Sequence, residues 1–188
     1  MIKIAQVFTS ILMTTVLFSC VQVEPVQKSA KENIAISTAR DSNRTFPPGS
    51  TFSLEPKYAK ETSLKPEQIK ESYQIYNNSL IKNLEKNGFK YSPESKNVAF
   101  HVGFGLALSN DVSDEKLSNK FGLTPGLAEK SDLTKGSFIV YIQDGYSTQS
   151  VWRGAVQGFT HENLSPEQRK SRVNTIVDQV MALYYQGK

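Results

Sequence analysis

Between Val98 and Leu108 the sequence alternates with a period of two. Val98, Phe100, Val102, Phe104, Leu106 and Leu108 are large and apolar, and Ala99, His101, Gly103, Gly105 and Ala107 stand between them. Extended backbone sends successive side chains to opposite faces, so this stretch is a strand with one heavy apolar face and one face nearly bare except for His101. Glycine costs a strand stability, and two on the bare face imply a close approach, by another part of the same chain or by something else. The apolar face needs a covering layer.

Two stretches supply that layer. Pro66 and Glu67 open a helical pattern in which Ile69, Tyr73, Tyr76, Leu80 and Leu84 fall three or four apart, and Asn87-Gly88-Phe89 ends it. Ser165 and Gln168 have capping-box spacing around Pro166, ahead of a stripe of Val173, Ile176, Val177, Val180, Met181 and Tyr184. The two starts, Leu64-Lys65-Pro66-Glu67-Gln68 and Leu164-Ser165-Pro166-Glu167-Gln168, look alike. Thr51 to Leu54 alternates and is closed by Glu55-Pro56, as a short strand would be, and Ser137 to Val156 reads as a hairpin turning near Asp144-Gly145. In the hairpin's second arm Trp152, Gly154 and Val156 share one face, leaving Val151, Arg153 and Ala155 on the other.

The order strand, helix, strand, long loop, hairpin, helix predicts an α+β two-layer sandwich, a mainly antiparallel sheet of about four strands with two helices packed on one face. The other face, with Ile139, Tyr141, Val151, Ala155 and the small residues around His101, is more apolar than an open sheet carries, so either the loop Asn110 to Lys135 or a partner covers it. His101, Ile139, Tyr141, Val151 and Arg153 are therefore the candidate partner face.

The first residues say where such a domain resides. After Lys3, Ile4 to Ser19 is almost wholly apolar or small, a secretory leader in form and shorter than the ~20 residues a membrane-spanning helix needs. Leu17-Phe18-Ser19-Cys20 resembles the lipobox of bacterial lipoproteins. The resemblance implies a signal peptide over residues 1–19, cleavage before Cys20, and a lipid anchor on Cys20; Val21, in place of aspartate, implies delivery to the outer membrane, on its periplasmic side. Several acyl chains on one residue make the membrane a permanent partner. Cys20 is the single cysteine, which excludes an internal disulfide. Residues 20–50 are polar and aperiodic and read as a flexible tether reaching about 30 Å, and residues 51–188 as a single α/β domain.

Composition excludes more than it selects. The 22 Lys and Arg are interspersed with 18 Asp and Glu, so the net charge of +4 makes no basic face for nucleic acid. His101 and His161 lack ligand-like spacing; Asp111, Asp114 and Glu115 lack the pattern of a calcium loop; Gly103-Phe104-Gly105 lies within a strand rather than before a helix. The sequence thus offers no metal site, no cofactor and no catalytic constellation.

Thr51-Phe52 followed by Pro56, Leu84 with Lys86 and Gly88-Phe89, Val151-Trp152-Arg153-Gly154 and the closing helix make the chain similar, from about Ser50 to Tyr185, to the bacterial lipoprotein family catalogued as the domain of unknown function DUF4136. That resemblance implies an envelope location and an α/β sandwich, and brings no activity. The expectation is a non-enzymatic, lipid-anchored envelope protein whose small domain binds another cell-envelope component, an envelope protein above all. The alternative is a lipid-binding or transport-accessory lipoprotein with a cavity between helices and sheet, and a hydrolase built on His101 stands third.

Overall fold

The computed structural model describes residues 33–57, 62–161 and 163–187. The leader and Cys20 lie outside them. The elements run β1 (Ile34–Arg40), β2 (Thr51–Pro56), α1 (Pro66–Lys86), β3 (Lys90–Tyr91), β4 (Phe100–Leu108), α2 (Asp114–Phe121), β5 (Lys135–Asp144), β6 (Ser150–Phe159) and α3 (Pro166–Gln186). They build one six-stranded sheet in the order β1-β6-β5-β4-β2-β3.

The α+β class holds, and four details differ from the sequence expectation. The sheet has six strands rather than about four, with β1 and β3 added. The sheet is mixed: β1, β6, β5 and β4 pair antiparallel, whereas β2 runs parallel to both β4 and β3. A helix between two neighbouring strands returns the chain to the end it left, and α1 does this between β2 and β4. Next, the expected tether already contains β1, which lies along β6 from Ile34 opposite Gly158 to Arg40 opposite Trp152. Finally, a third helix, α2, lies within the long loop and packs on the sheet face that α1 and α3 leave open.

Phe52, Phe100, Val102, Phe104, Phe138, Val140, Ile142, Trp152 and Val156 point from the sheet into the main core, where Tyr73, Leu80 and Leu84 of α1 and Val177, Val180, Met181 and Tyr184 of α3 meet them. A second, smaller core joins Ile139 and Ala155 to Leu117 and Leu123, with Ala39, Val112 and Phe121 packed at its margin.

The two long helices start in similar ways and run parallel. At α3, Gln168 N donates to Ser165 Oγ at 3.2 Å and Ser165 N to Gln168 Oε1 at 2.9 Å, a complete capping box. At α1, Lys65 N donates to Gln68 Oε1 at 3.0 Å, but a lysine side chain has no acceptor, so only half the box forms. Arg169 meets Glu71 at 2.8 Å near the two starts, and Asn83 meets Asp178 at 2.6 Å and Tyr185 at 2.8 Å further along. Among the described residues no helix is long and apolar enough to cross a membrane.

Candidate binding site

Register brings the far face of the sheet together rung by rung. Glu55 stands opposite Gly103, Gly103 opposite Tyr141, Tyr141 opposite Arg153 and Arg153 opposite Ala39, a single row across five strands. The ring of Tyr141 lies across Gly103, where a Cβ would stand 1.9 Å from its Cζ, so the close approach expected at this glycine comes from within the chain. Burial raises the Tyr141 phenol's pKa above its usual value, and the Glu55 carboxylate adds to the effect.

One rung away, Ser53 stands opposite His101. Ser53 Oγ lies 2.7 Å from His101 Nδ1, and Glu55 Oε1 lies 3.2 Å from the same nitrogen. A nucleophilic relay needs the hydroxyl on one ring nitrogen and the carboxylate on the other. Here both lie at Nδ1, an arrangement that holds the ring in place and differs from such a relay. The described residues contain no group of three His, Cys, Asp or Glu side chains able to hold a metal ion.

Arg153 fastens elements together. Its Nε and Nη2 donate to the two carboxylate oxygens of Asp41 at 2.8 and 2.6 Å, and its Nη1 donates to the carbonyl of Phe121, the last residue of α2. A buried lysine anchors the other end of that helix. Lys135 Nζ donates to Asp114 Oδ2 at 2.8 Å and to the Leu127 carbonyl at 3.3 Å, while Gln157 donates to Asp114 Oδ1 at 2.6 Å and accepts from Leu127 N at 3.1 Å.

The candidate partner face is thus divided. His101, Tyr141 and Arg153 stay together and half-buried on the far side. Ile139 is 4% exposed, covered by Leu117 and Leu123. Val151 sits in the main core on the helix side. A register shift between Ile142 and Gln143 leaves Val151 unpaired with β5, and such a bulge puts two successive side chains, Val151 and Trp152, on one face, where strict alternation assigns them to opposite faces.

The open space of the molecule is elsewhere. A cavity of about 440 Å³ lies between α1, α3 and one end of the sheet, with Leu106, Phe138 and Val156 as floor and Ile75, Tyr76, Val173 and Ile176 as walls. Both helix starts border it, through Leu64 and Gln68 and through Leu164, Arg169 and Arg172. A smaller, more polar hollow of about 330 Å³ adjoins it at Thr134, Thr160, His161 and Leu164 and adds Asp132, Leu133 and Asn163. Burial at this wall pushes the Tyr76 phenol up to about 12, with the Arg172 guanidinium opposing the shift.

The sequence model described as Domain of unknown function (DUF4136) matches residues 36–184. The chain belongs to this family. A DUF4136 protein from Bacteroides thetaiotaomicron has a similar structure, with a TM-score of 0.50 at 15% identity over 84% of this chain and 100% of that one. A PDZ domain protein from Parabacteroides distasonis is similar at a TM-score of 0.50 and 11% identity, over 81% of this chain and 36% of that chain. A lipoprotein from Neisseria meningitidis is similar at a TM-score of 0.39 and 9% identity, over 72% of this chain and 99% of its own. At these identities the likeness to the Bacteroides and Parabacteroides proteins is one of fold. No curated protein matches the sequence. The matched span begins within β1, so this DUF4136 domain includes the strand that the sequence reading placed in the tether.

Proposed function

We propose that this DUF4136 member is a lipid-anchored, non-enzymatic envelope protein, held at the outer membrane through Cys20, whose domain binds a lipid-like ligand between its helices and its sheet. The observation that carries the reading is the cavity: apolar on its floor and walls, bordered by two parallel helix starts, and within the 300–1,000 Å³ range of small-molecule sites. The arrangement of Ser53 and Glu55 on one nitrogen of His101 supports a binding rather than a hydrolytic role. An envelope protein docking on the far face is the weaker reading, because Ile139 is covered and Val151 belongs to the other side.

The test is mass spectrometry of extractable lipid from the full chain purified gently from membranes, beside a Ser72→Phe variant, since Ser72 lines the cavity from α1 and a larger side chain there fills it. The expected result is lipid carried by the unmodified chain and absent from the folded variant. An empty unmodified chain, or equal lipid in both, overturns the reading.

A further inference from the structure

The sheet has two edges, and they are built differently. On one side β2 ends in Pro56, which has no N–H to offer, and carries outside it only the two-residue β3, where Lys90 is exposed. A proline, a lysine and a very short outer strand are means by which sheets discourage further pairing. β1 forms the other edge and has none of them. All seven of its residues, Ile34-Ala35-Ile36-Ser37-Thr38-Ala39-Arg40, pair with β6 in one unbroken register. Among the described residues no strand lies on its outer side, where an edge presents a row of backbone donors and acceptors.

The side chains leave that row open and uncharged. Arg40, the strand's single charge, turns inward and donates from Nη2 to the Tyr184 carbonyl at 2.8 Å. Ile34 and Ile36 are half-buried at the margin of the main core, on the helix side, and alternation puts Ala35 and Ser37 with Ala39 on the far side. The helix layer ends in a similar way. A Cβ at Gly154 of β6 would stand 2.8 Å from Val180 Cγ2, and one at Gly187 would stand 2.8 Å from Arg40 Nη2. Leu183, three residues after Val180 and four before Gly187, shares their side of α3 and is 37% exposed. The open edge therefore has apolar side chains both on the strand and on the helix that lies over it.

The strand is also its own complement. In an antiparallel pair of two copies with Ser37 opposite Ser37, Ile36 meets Thr38, Ala35 meets Ala39 and Ile34 meets Arg40. All seven residues are used, helix-side residues stay opposite helix-side residues, and no charge faces a like charge. Such a pair has the twofold symmetry of a closed dimer, and the second copy brings the same Leu183 margin to the seam, so both layers continue across it. We propose that β1 is a self-association edge: two copies of this chain pair antiparallel through Ile34–Arg40 and join their six-stranded sheets into one. This is independent of the cavity and of what fills it.

The test uses the full chain in the cells that make it. Opposing Cβ atoms in such a pair stand within about 5.5 Å, so a short bifunctional maleimide should link Ser37→Cys into a covalent dimer, with the link mapped by mass spectrometry to residue 37 of both copies. Ser95→Cys, exposed beyond β3, should give no such dimer. Sedimentation of the purified full chain supplies the second arm. The unmodified chain should be dimeric, Ser37→Lys and Ser37→Glu should each be monomeric because like charges then stand opposite, and mixing the two variants should restore the dimer. Recovery in the mixture shows that both variants fold. A folded Ser37→Cys chain that gives no link between two residues 37 overturns the proposal, as does a link from 37 to a different protein. A link from 37 to Cys20 of the same chain overturns it too, since the edge is then covered from within. Single charge variants that remain dimeric, or a mixture that stays monomeric, contradict the register.

Discussion

Asp41, Asp114 and Asp144 tie separate parts of the chain together through their charges. Hydrogen bonds from Arg153 hold Asp41 below the usual carboxylate range, Lys135 does the same for Asp114, and the backbone N–H groups of Ser147 and Tyr146 for Asp144. A carboxyl whose pKa falls on folding adds stability above its unfolded pKa of about 4 and loses it as pH drops through the lower folded value. The urea midpoint should therefore be flat from about pH 5 to 7 and fall below about pH 4. Arg153→Met should cost about 1–2 kcal/mol at neutral pH, a figure held down by the pair's partial exposure, and should flatten the acid slope. An unchanged slope in that variant would show that the Arg153–Asp41 pair is not what titrates. His101 could be singled out in the sequence because it stands alone on a bare strand face. Its neighbours Ser53 and Glu55 could not, since their position depends on the parallel register of β2 and β4.

At the scale of elements, what was legible was whatever carried a long period of its own. β4, the hairpin arms β5 and β6, and helices α1 and α3 each repeat apolar residues over enough positions to identify their type. β1 repeats only Ile34 and Ile36 before Thr38 and Arg40, and it exists through pairing with β6, a partner more than a hundred residues away. Helix α2 buries a single residue, Leu117, so it has no stripe. Its boundary signals were nonetheless present: Ser113 accepts from Lys116 N as N-cap, Asp114 and Glu115 fill the first turn, Lys120 the last, and Gly122 closes it. Leu117→Ala should loosen the segment from about 110 to 135 by about 2 kcal/mol or more without opening the main core. In hydrogen exchange, amides of α2 and Leu127 should speed up while those of β4 and β5 keep their rates; uniform acceleration would mean that the two cores open as one.

At the scale of the molecule, the helices and sheet leave one end of their interface incompletely filled. α1 crosses from β2 to β4 and α3 follows β6, and both end up parallel with their starts together. The near-repeat Leu-x-Pro-Glu-Gln was visible in the sequence. That its two copies border one cavity was not, because nothing local states that two helices a hundred residues apart run the same way. On the far face, by contrast, α2 covers Ile139 and Ala155, tied down by Lys135 and Arg153, and leaves His101 and Tyr141 half-buried beside it. The central claim, proposed above, is therefore one of place: a ligand enters between the helices and the sheet. Hydrogen exchange of the full chain with and without added palmitate tests it directly. Slower exchange is predicted at the starts of α1 and α3 and along Val156 to Thr160; slower exchange instead around His101, Tyr141 and α2, with the helix starts unchanged, would contradict it.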